Sequence, residues 1–191
     1  MTLLITGVAL WIILHLFPSL MVNARASIIS NMGEKPYKAV FAVIMVGALM
    51  MIIFGWRSAL PTIIYNPPVA LRVPAMILVT IAFILLVGSH FKRTRIKRYI
   101  RHPMLTAIAI WAFAHLLANG DSKSLVLFAG FLLWSILSMI LINRRDGEYQ
   151  KPTEYMPVWR EFIGPVAAII IAGQVVKYHY YIAGVPLMSA G

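Results

Sequence analysis

Two of the five histidines stand in apolar sequence with no polar neighbour to explain them. His15 lies in Ala9-Leu10-Trp11-Ile12-Ile13-Leu14-His15-Leu16 and His115 in Ala109-Ile110-Trp111-Ala112-Phe113-Ala114-His115-Leu116. Both read A-[LI]-W-x-x-x-H-L. Residues four apart share one helix face, so Trp11 accompanies His15 and Trp111 accompanies His115. An imidazole is costly in hydrocarbon, and an ionisable side chain there marks a functional site by default. The other three, His90, His102 and His179, fall at the ends of apolar segments.

The chemistry open to such imidazoles is ligation of an iron porphyrin. Haem iron takes imidazole ligands, and the flat, apolar macrocycle suits flat neighbours and small residues. Trp11, Phe17, Trp111 and Phe113 supply the first, and Ala107, Ala109, Ala112, Ala114 and Ala118 the second. The same residues also suit plain helix packing, with each histidine donating to a carbonyl across an interface; both readings stay open at this point. Zinc fits poorly, because a third protein ligand at that depth is missing. There is no cysteine, which removes thiolate sites and disulfides. The six acids, Glu34, Asp121, Asp146, Glu148, Glu154 and Glu161, all lie outside the middle of the apolar segments. That argues against a proton pump or cation transporter, which needs an intramembrane carboxylate.

The elements that must position these residues are membrane spans. The chain has 191 residues, 61% hydrophobic and 12% charged, with mean hydropathy +0.83. Soluble chains carry roughly twice that charge fraction. Apolar runs near the roughly 20 residues that a bilayer core demands occur at about 2–22, 37–56, 69–89, 103–118, 124–142 and 162–182. The expected fold is therefore all-α: a polytopic bundle of about six transmembrane helices in a single domain, 1–191. Met1 to Leu20 lacks a basic leader, so it reads as the first span and not as a cleavable signal.

Charge gives the orientation. Thirteen of the 17 Lys and Arg fall after the first, third and fifth spans, and only Arg57, Arg72, Lys123 and Lys177 fall on the other side. Basic loops face the cytoplasm, so both termini are expected in the periplasm of a bacterial inner membrane. The net charge of +11 is thereby assigned to anionic headgroups, not to nucleic acid. Pro103 suits a first helical turn. Asn119-Gly120-Asp121 reads as a turn in which Gly120 ends one helix and Asp121 or Ser122 caps the next; a direct role for Asn119 or Asp121 stays open.

The orientation makes the first span run inward and the fourth outward, so the two Trp–His motifs are antiparallel. This hints at two inverted three-helix halves with a shared site near the midplane. At about 1.5 Å per residue, His15 lies roughly 15 Å from Arg25 and His115 roughly 21 Å from Arg101. Helix tilt absorbs a difference of about 6 Å, and the two imidazoles are expected to ligate one iron from opposite faces. His102, about 20 Å from His115 along the same helix, cannot join it.

The run Arg101-His102-Pro103-Met104, followed by Trp111 and Ala114-His115-Leu116-Leu117-Ala118-Asn119-Gly120-Asp121, resembles the NnrU family of bacterial membrane proteins. His15, Pro18, Asn143-Arg144-Arg145 and the layout of spans fit over nearly the full length. Members are named for association with nitrite and nitric oxide reductase genes and are similar to zeta-carotene isomerase, which uses haem b for redox-dependent cis–trans isomerisation. The resemblance implies a haem b site in which the isomerase's histidine ligands correspond to His15 and His115. Its implied partners are the bilayer, a lipophilic polyene or nitric oxide, and a reductase or electron donor. The isomerase's proposed exchange of histidine for cysteine has no counterpart here, so ligand-switched isomerisation does not carry over.

Two other functions compete. Arg101-His102-Pro103 with Arg144-Arg145-Asp146-Gly147-Glu148 resembles part of the isoprenylcysteine methyltransferase pattern, which implies S-adenosylmethionine; Glu148 stands alone where that family has paired glutamates. A non-enzymatic assembly factor for a nitrite or nitric oxide reductase would need no cofactor.

Overall fold

Each apolar segment folds as a helix, and the described residues contain no strand, only an isolated bridge between Ile63 and Asp121. The structure, a computed structural model, describes residues 1–184. Its helices are α1 (Thr2–Leu20), α2 (Val22–Met32), α3 (Glu34–Ser58), α4 (Arg72–Ser89), α5 (Ile96–Tyr99), α6 (Pro103–Ala118), α7 (Ser122–Asp146), α8 (Val158–Glu161) and α9 (Ile163–Ala183). Five segments among the described residues are long and apolar enough to cross a bilayer: α1, α3, Val69–Ser89, α7 and Val158–Ala183. The protein is a multi-pass membrane protein. The remaining apolar helix, α6, has 16 residues, about 24 Å of rise against a hydrocarbon core of about 30 Å.

Local chemistry sets the boundaries. Pro18 cannot donate to the carbonyl four residues back, and α1 ends soon after it, turning through Met21 into α2. That second helix is a departure from expectation: residues 22–32 read as a loop because they lack a long apolar run. They contain neither glycine nor proline and fold as an 11-residue helix with no buried residue. Gly33, at φ 87°, then reverses the chain into α3. Pro103 takes the first turn of α6, Gly147 closes α7 at φ 67°, and Gly184 closes α9 at φ 72°.

In space the spans form the sequence α3–α1–α7–α6–α4–α9, with each packing chiefly on its neighbours in that order. Small residues permit the close approaches. A Cβ on Gly7 would lie 2.8 Å from the Ile52 backbone nitrogen, and one on Gly55 would run into the Leu4 backbone, so α1 and α3 nearly touch. On α4 and α6 the buried residues include Ala75, Ala82, Gly88, Ala107, Ala112 and Ala114, as expected where van der Waals packing holds membrane helices together.

The inverted halves expected from the Trp–His motifs are not packing units. Exchanging the halves maps α1·α3 onto α6·α7, both of which pack, but it also requires α9 against α1, which is not among the principal contacts. The reason is that α7 and α6 lodge between α1 and α4, so the halves are interleaved.

The three basic stretches meet at one end of the molecule. Arg145 Nη1 donates to Ser19 Oγ (3.2 Å), Arg101 Nη1 to the Gly147 carbonyl (2.6 Å), the Met156 amide to the Arg93 carbonyl (2.9 Å) and Tyr149 OH to the Lys97 carbonyl (2.7 Å).

Candidate functional site

His15 and His115 have the same first-turn chemistry. In each, ring Nδ1 lies in hydrogen-bond range of the carbonyl one turn back: 3.0 Å to Trp11 O and 2.8 Å to Trp111 O. A carbonyl can only accept, so Nδ1 carries the proton and Nε2 keeps its lone pair. The tryptophan also packs on its own histidine ring, with centroids 4.4 Å apart for Trp11–His15 and 4.9 Å for Trp111–His115. Both results follow from the four-residue spacing on a helix.

The surroundings come from α7, which lies between α1 and α6. Its first eight residues include a π-helical stretch, Leu125–Ala129, and Phe128, Phe131 and Trp134 recur every three residues on the face turned to both motifs. Phe128 stacks on His115 at 4.4 Å and 24°. Trp134 packs on His15 at 4.7 Å. Phe131 touches both tryptophans, at 5.6 Å from Trp11 and 6.1 Å from Trp111. The outcome is a continuous aromatic belt running His15–Trp11–Phe131–Trp111–His115. The histidines contact α7 at levels six residues apart, about 9 Å of rise, and the belt separates them.

Around His15 the polar groups are incompletely paired. Among the described residues the indole nitrogens of Trp11 and Trp134 are buried without a hydrogen-bond partner, and Trp134 is only 4% exposed. Tyr37 OH is a third such group; its ring stacks on Phe41, which meets His15 edge-on at 6.5 Å. A buried donor left unpaired costs about 1–3 kcal/mol, and lipid supplies no acceptor.

Around His115 the polar groups are satisfied. α6 is short, so its last carbonyls need internal donors. Asn119 Nδ2 donates to the His115 carbonyl (2.9 Å), and the single Tyr65 hydroxyl proton lies between the Leu116 and Asn119 carbonyls, 2.9 Å from the latter. The amides of Ile64 and Tyr65 donate to the Gly120 carbonyl at 2.8 and 3.0 Å. Burial, and secondarily the Asp121 charge, raise the Tyr65 pKa above its ordinary value, which keeps the hydroxyl a donor. Asp121 is the N-cap of α7, accepting from the Lys123 and Ser124 amides and from Ser124 Oγ (2.6 Å). Asn119 and Asp121 thus act as helix caps. His179 is an electrostatic neighbour of His115, brought there as α9 ends with the Ala183 carbonyl accepting from Trp56 Nε1 (3.1 Å).

Arg101 and His102 lie at the basic end, away from the belt. His102 Nε2 meets Asn143 Oδ1 at 2.8 Å, and Arg101 lies over the Tyr149 ring while it bonds Gly147. They tie the start of α6 to the end of α7.

In donor chemistry the two histidines suit iron ligation: each would offer a lone-pair Nε2 from a ring whose Nδ1 is held by the backbone carbonyl one turn back. Room is more limited. Of the α6 alanines expected to admit a macrocycle, Ala107, Ala112 and Ala114 are buried among neighbouring helices, Ala109 is half-buried and Ala118 is exposed. A hollow between α4 and α6, lined by Ala82, Phe83, Leu86, Ala107, Ile108 and Trp111, measures about 130 Å³. No cluster of three or more His, Cys, Asp or Glu that could hold a metal ion occurs among the described residues.

The pattern of one protein family, described as NnrU protein, matches residues 3–187, and the chain belongs to that family. No curated protein and no solved structure matches it.

Proposed function

We propose that this NnrU family member is a haem b protein of the membrane with a redox-linked role, and that His15 and His115 are its iron ligands. The observation that carries the reading is the pair of matched imidazoles, each with Nδ1–H held by a carbonyl and Nε2 left as a donor among aromatic rings. The unpaired indoles of Trp11 and Trp134 add support, since they mark the His15 surroundings as incomplete without a guest. When bound, haem supplies one-electron chemistry, in electron transfer, in nitric oxide chemistry or in cis–trans isomerisation of a polyene. The chain's own residues hold each imidazole in one tautomer, and Trp11, Phe131 and Trp111, which lie between the two histidines, would have to part for both to reach one iron. In this reading the basic end faces the cytoplasm of a bacterial inner membrane and the termini face outward. Arg101 and His102, on which a methyltransferase reading rests, keep their role as struts between α6 and α7.

The test is an absorption spectrum of the protein purified in mild detergent, oxidised and dithionite-reduced, with a pyridine haemochrome assay. A Soret band lost in both His15→Ala and His115→Ala, and retained in His102→Ala, is the expected result and means one shared site. Loss in only one of the two variants assigns haem to that histidine alone. A folded protein that stays colourless after haem supplementation sinks the proposal.

A further inference from the structure

The segment that joins α3 to α4 carries no charge: from Ser58 to Leu71 there is neither Lys, Arg, Asp nor Glu. Its large apolar side chains point outward, Leu60 being 88% exposed, Ile63 76% and Ile64 57%. Its backbone is turned the other way. The Ile64 and Tyr65 amides donate to the Gly120 carbonyl (2.8 and 3.0 Å), the Ser122 amide donates to the Thr62 carbonyl (2.8 Å), and the Thr62 amide donates to Ser122 Oγ (3.0 Å). The Tyr65 hydroxyl lies against the Leu116 and Asn119 carbonyls. Irregular backbone is tolerated at membrane depth only where protein satisfies its polar groups in this way.

The length of α6 sets the depth. Its start is fixed at the basic end, where His102 Nε2 meets Asn143 Oδ1 at 2.8 Å. Its 16 residues rise about 24 Å, against hydrocarbon about 30 Å thick, and tilt shortens the reach further. With the basic end in one headgroup layer, the far end of α6 stops about 6 Å short of the other. The loop is hydrogen-bonded to that end and is held at the same level. Lys123 marks the rim, with Nζ 4.5 Å over the Trp56 ring, a pairing suited to the boundary where tryptophan collects and lysine reaches for water. A soluble partner could meet Leu60 and Ile63 only by entering the bilayer, so acyl chains are the occupant that fits.

We infer that the loop 59–68 is embedded in the leaflet opposite the basic end, with Leu60, Ile63 and Ile64 against lipid acyl chains and its polar backbone sealed against the end of α6.

The chain has no cysteine, so a single introduced one carries a nitroxide to a chosen place. Leu60→Cys, Ile63→Cys, Lys151→Cys and Ile170→Cys are each spin-labelled in the full chain and placed in lipid nanodiscs, with circular dichroism to confirm native helicity. Power-saturation electron paramagnetic resonance then reads collisions with oxygen and with a water-soluble nickel chelate. Lys151, in the loop before α8, is the water reference; Ile170, 60% exposed within α9, is the lipid reference. The hydrocarbon holds no water to carry the chelate, so the oxygen-to-nickel ratio at Leu60 and Ile63 should exceed that at Lys151 about threefold or more and approach that at Ile170. A ratio like that at Lys151 places the loop in water and overturns the proposal. Few collisions with either reagent, the mark of cover by another protein surface, overturn it as well.

Discussion

His15 and His115 share a motif, a tautomer and a tryptophan, yet they sit in opposite kinds of surroundings. Beside His115 the polar groups of a short helix end are met by Tyr65, Asn119 and Asp121. Beside His15 two indole N–H groups and one tyrosine hydroxyl have no partner among the described residues. The difference teaches that a four-residue spacing fixes what happens within one turn and nothing beyond it. The His115 end is capped by its own side chains, whereas at the His15 end three buried polar groups lack a partner among the described residues.

Four substitutions probe this contrast, each read by thermal or denaturant unfolding of the purified, ligand-free protein. The largest effect is expected from Gly120→Ala, whose Cβ would run into the Tyr65 carbonyl. The Cβ would meet backbone, which cannot turn aside as a side chain could, and the change should cost about 3 kcal/mol; a neutral result would mean that the cap over α6 is loose. Asp121→Ala removes an N-cap with three donors and should cost about 1–2 kcal/mol. Tyr65→Phe should cost about 1 kcal/mol and should also alter the alkaline limb. Because the folded pKa of Tyr65 is raised, its contribution is complete below the ordinary tyrosine pKa of about 10 and fades as pH climbs through the raised value. The phenylalanine variant should lose that part of the alkaline decline.

The smallest effect is expected at the other histidine. Trp134→Phe deletes an unpaired N–H, which relieves about 1 kcal/mol or more, and leaves a void in the core that costs a similar amount, so stability should stay within about 0.5 kcal/mol. A loss well above about 2 kcal/mol, more than the void accounts for, would indicate that the indole has a partner, and the contrast between the two ends would collapse.

Much of the frame was legible from hydropathy. The span expected at 103–118 is α6 residue for residue, and the others differ from expectation by a few residues at their ends. Helix α2 was missed because the signal followed was a long apolar run, which a short surface helix does not have. The site was legible only within each helix. Trp11 and Trp111 could be assigned to their histidines from spacing alone, but Phe128, Phe131, Trp134 and Tyr65 reach the site from other elements. Their three-residue recurrence on α7 was a usable sign of a single face, though which helices it would meet depends on packing. Asp121 was readable as a cap because the turn before it and its place at the helix start carry that chemistry locally. The alanines of α6 were readable as small residues but not for what they admit: Ala112 and Ala114 pack against neighbouring helices.

The interleaved order of the spans bears on how the chain is made. α1 and α3 pack on each other and can pair as soon as both have left the ribosome. α4 is synthesised next, but its principal partners are α6 and α9, which emerge later. It must therefore wait in the bilayer, or at the insertion machinery, as an unpaired hydrophobic rod. The seat beside α1 likewise stays vacant until α7 arrives. A chain stalled after residue 100 would hold one assembled hairpin and one stranded span, a natural substrate for membrane quality control. Completion of the belt around the two histidines would then be among the last events of biogenesis.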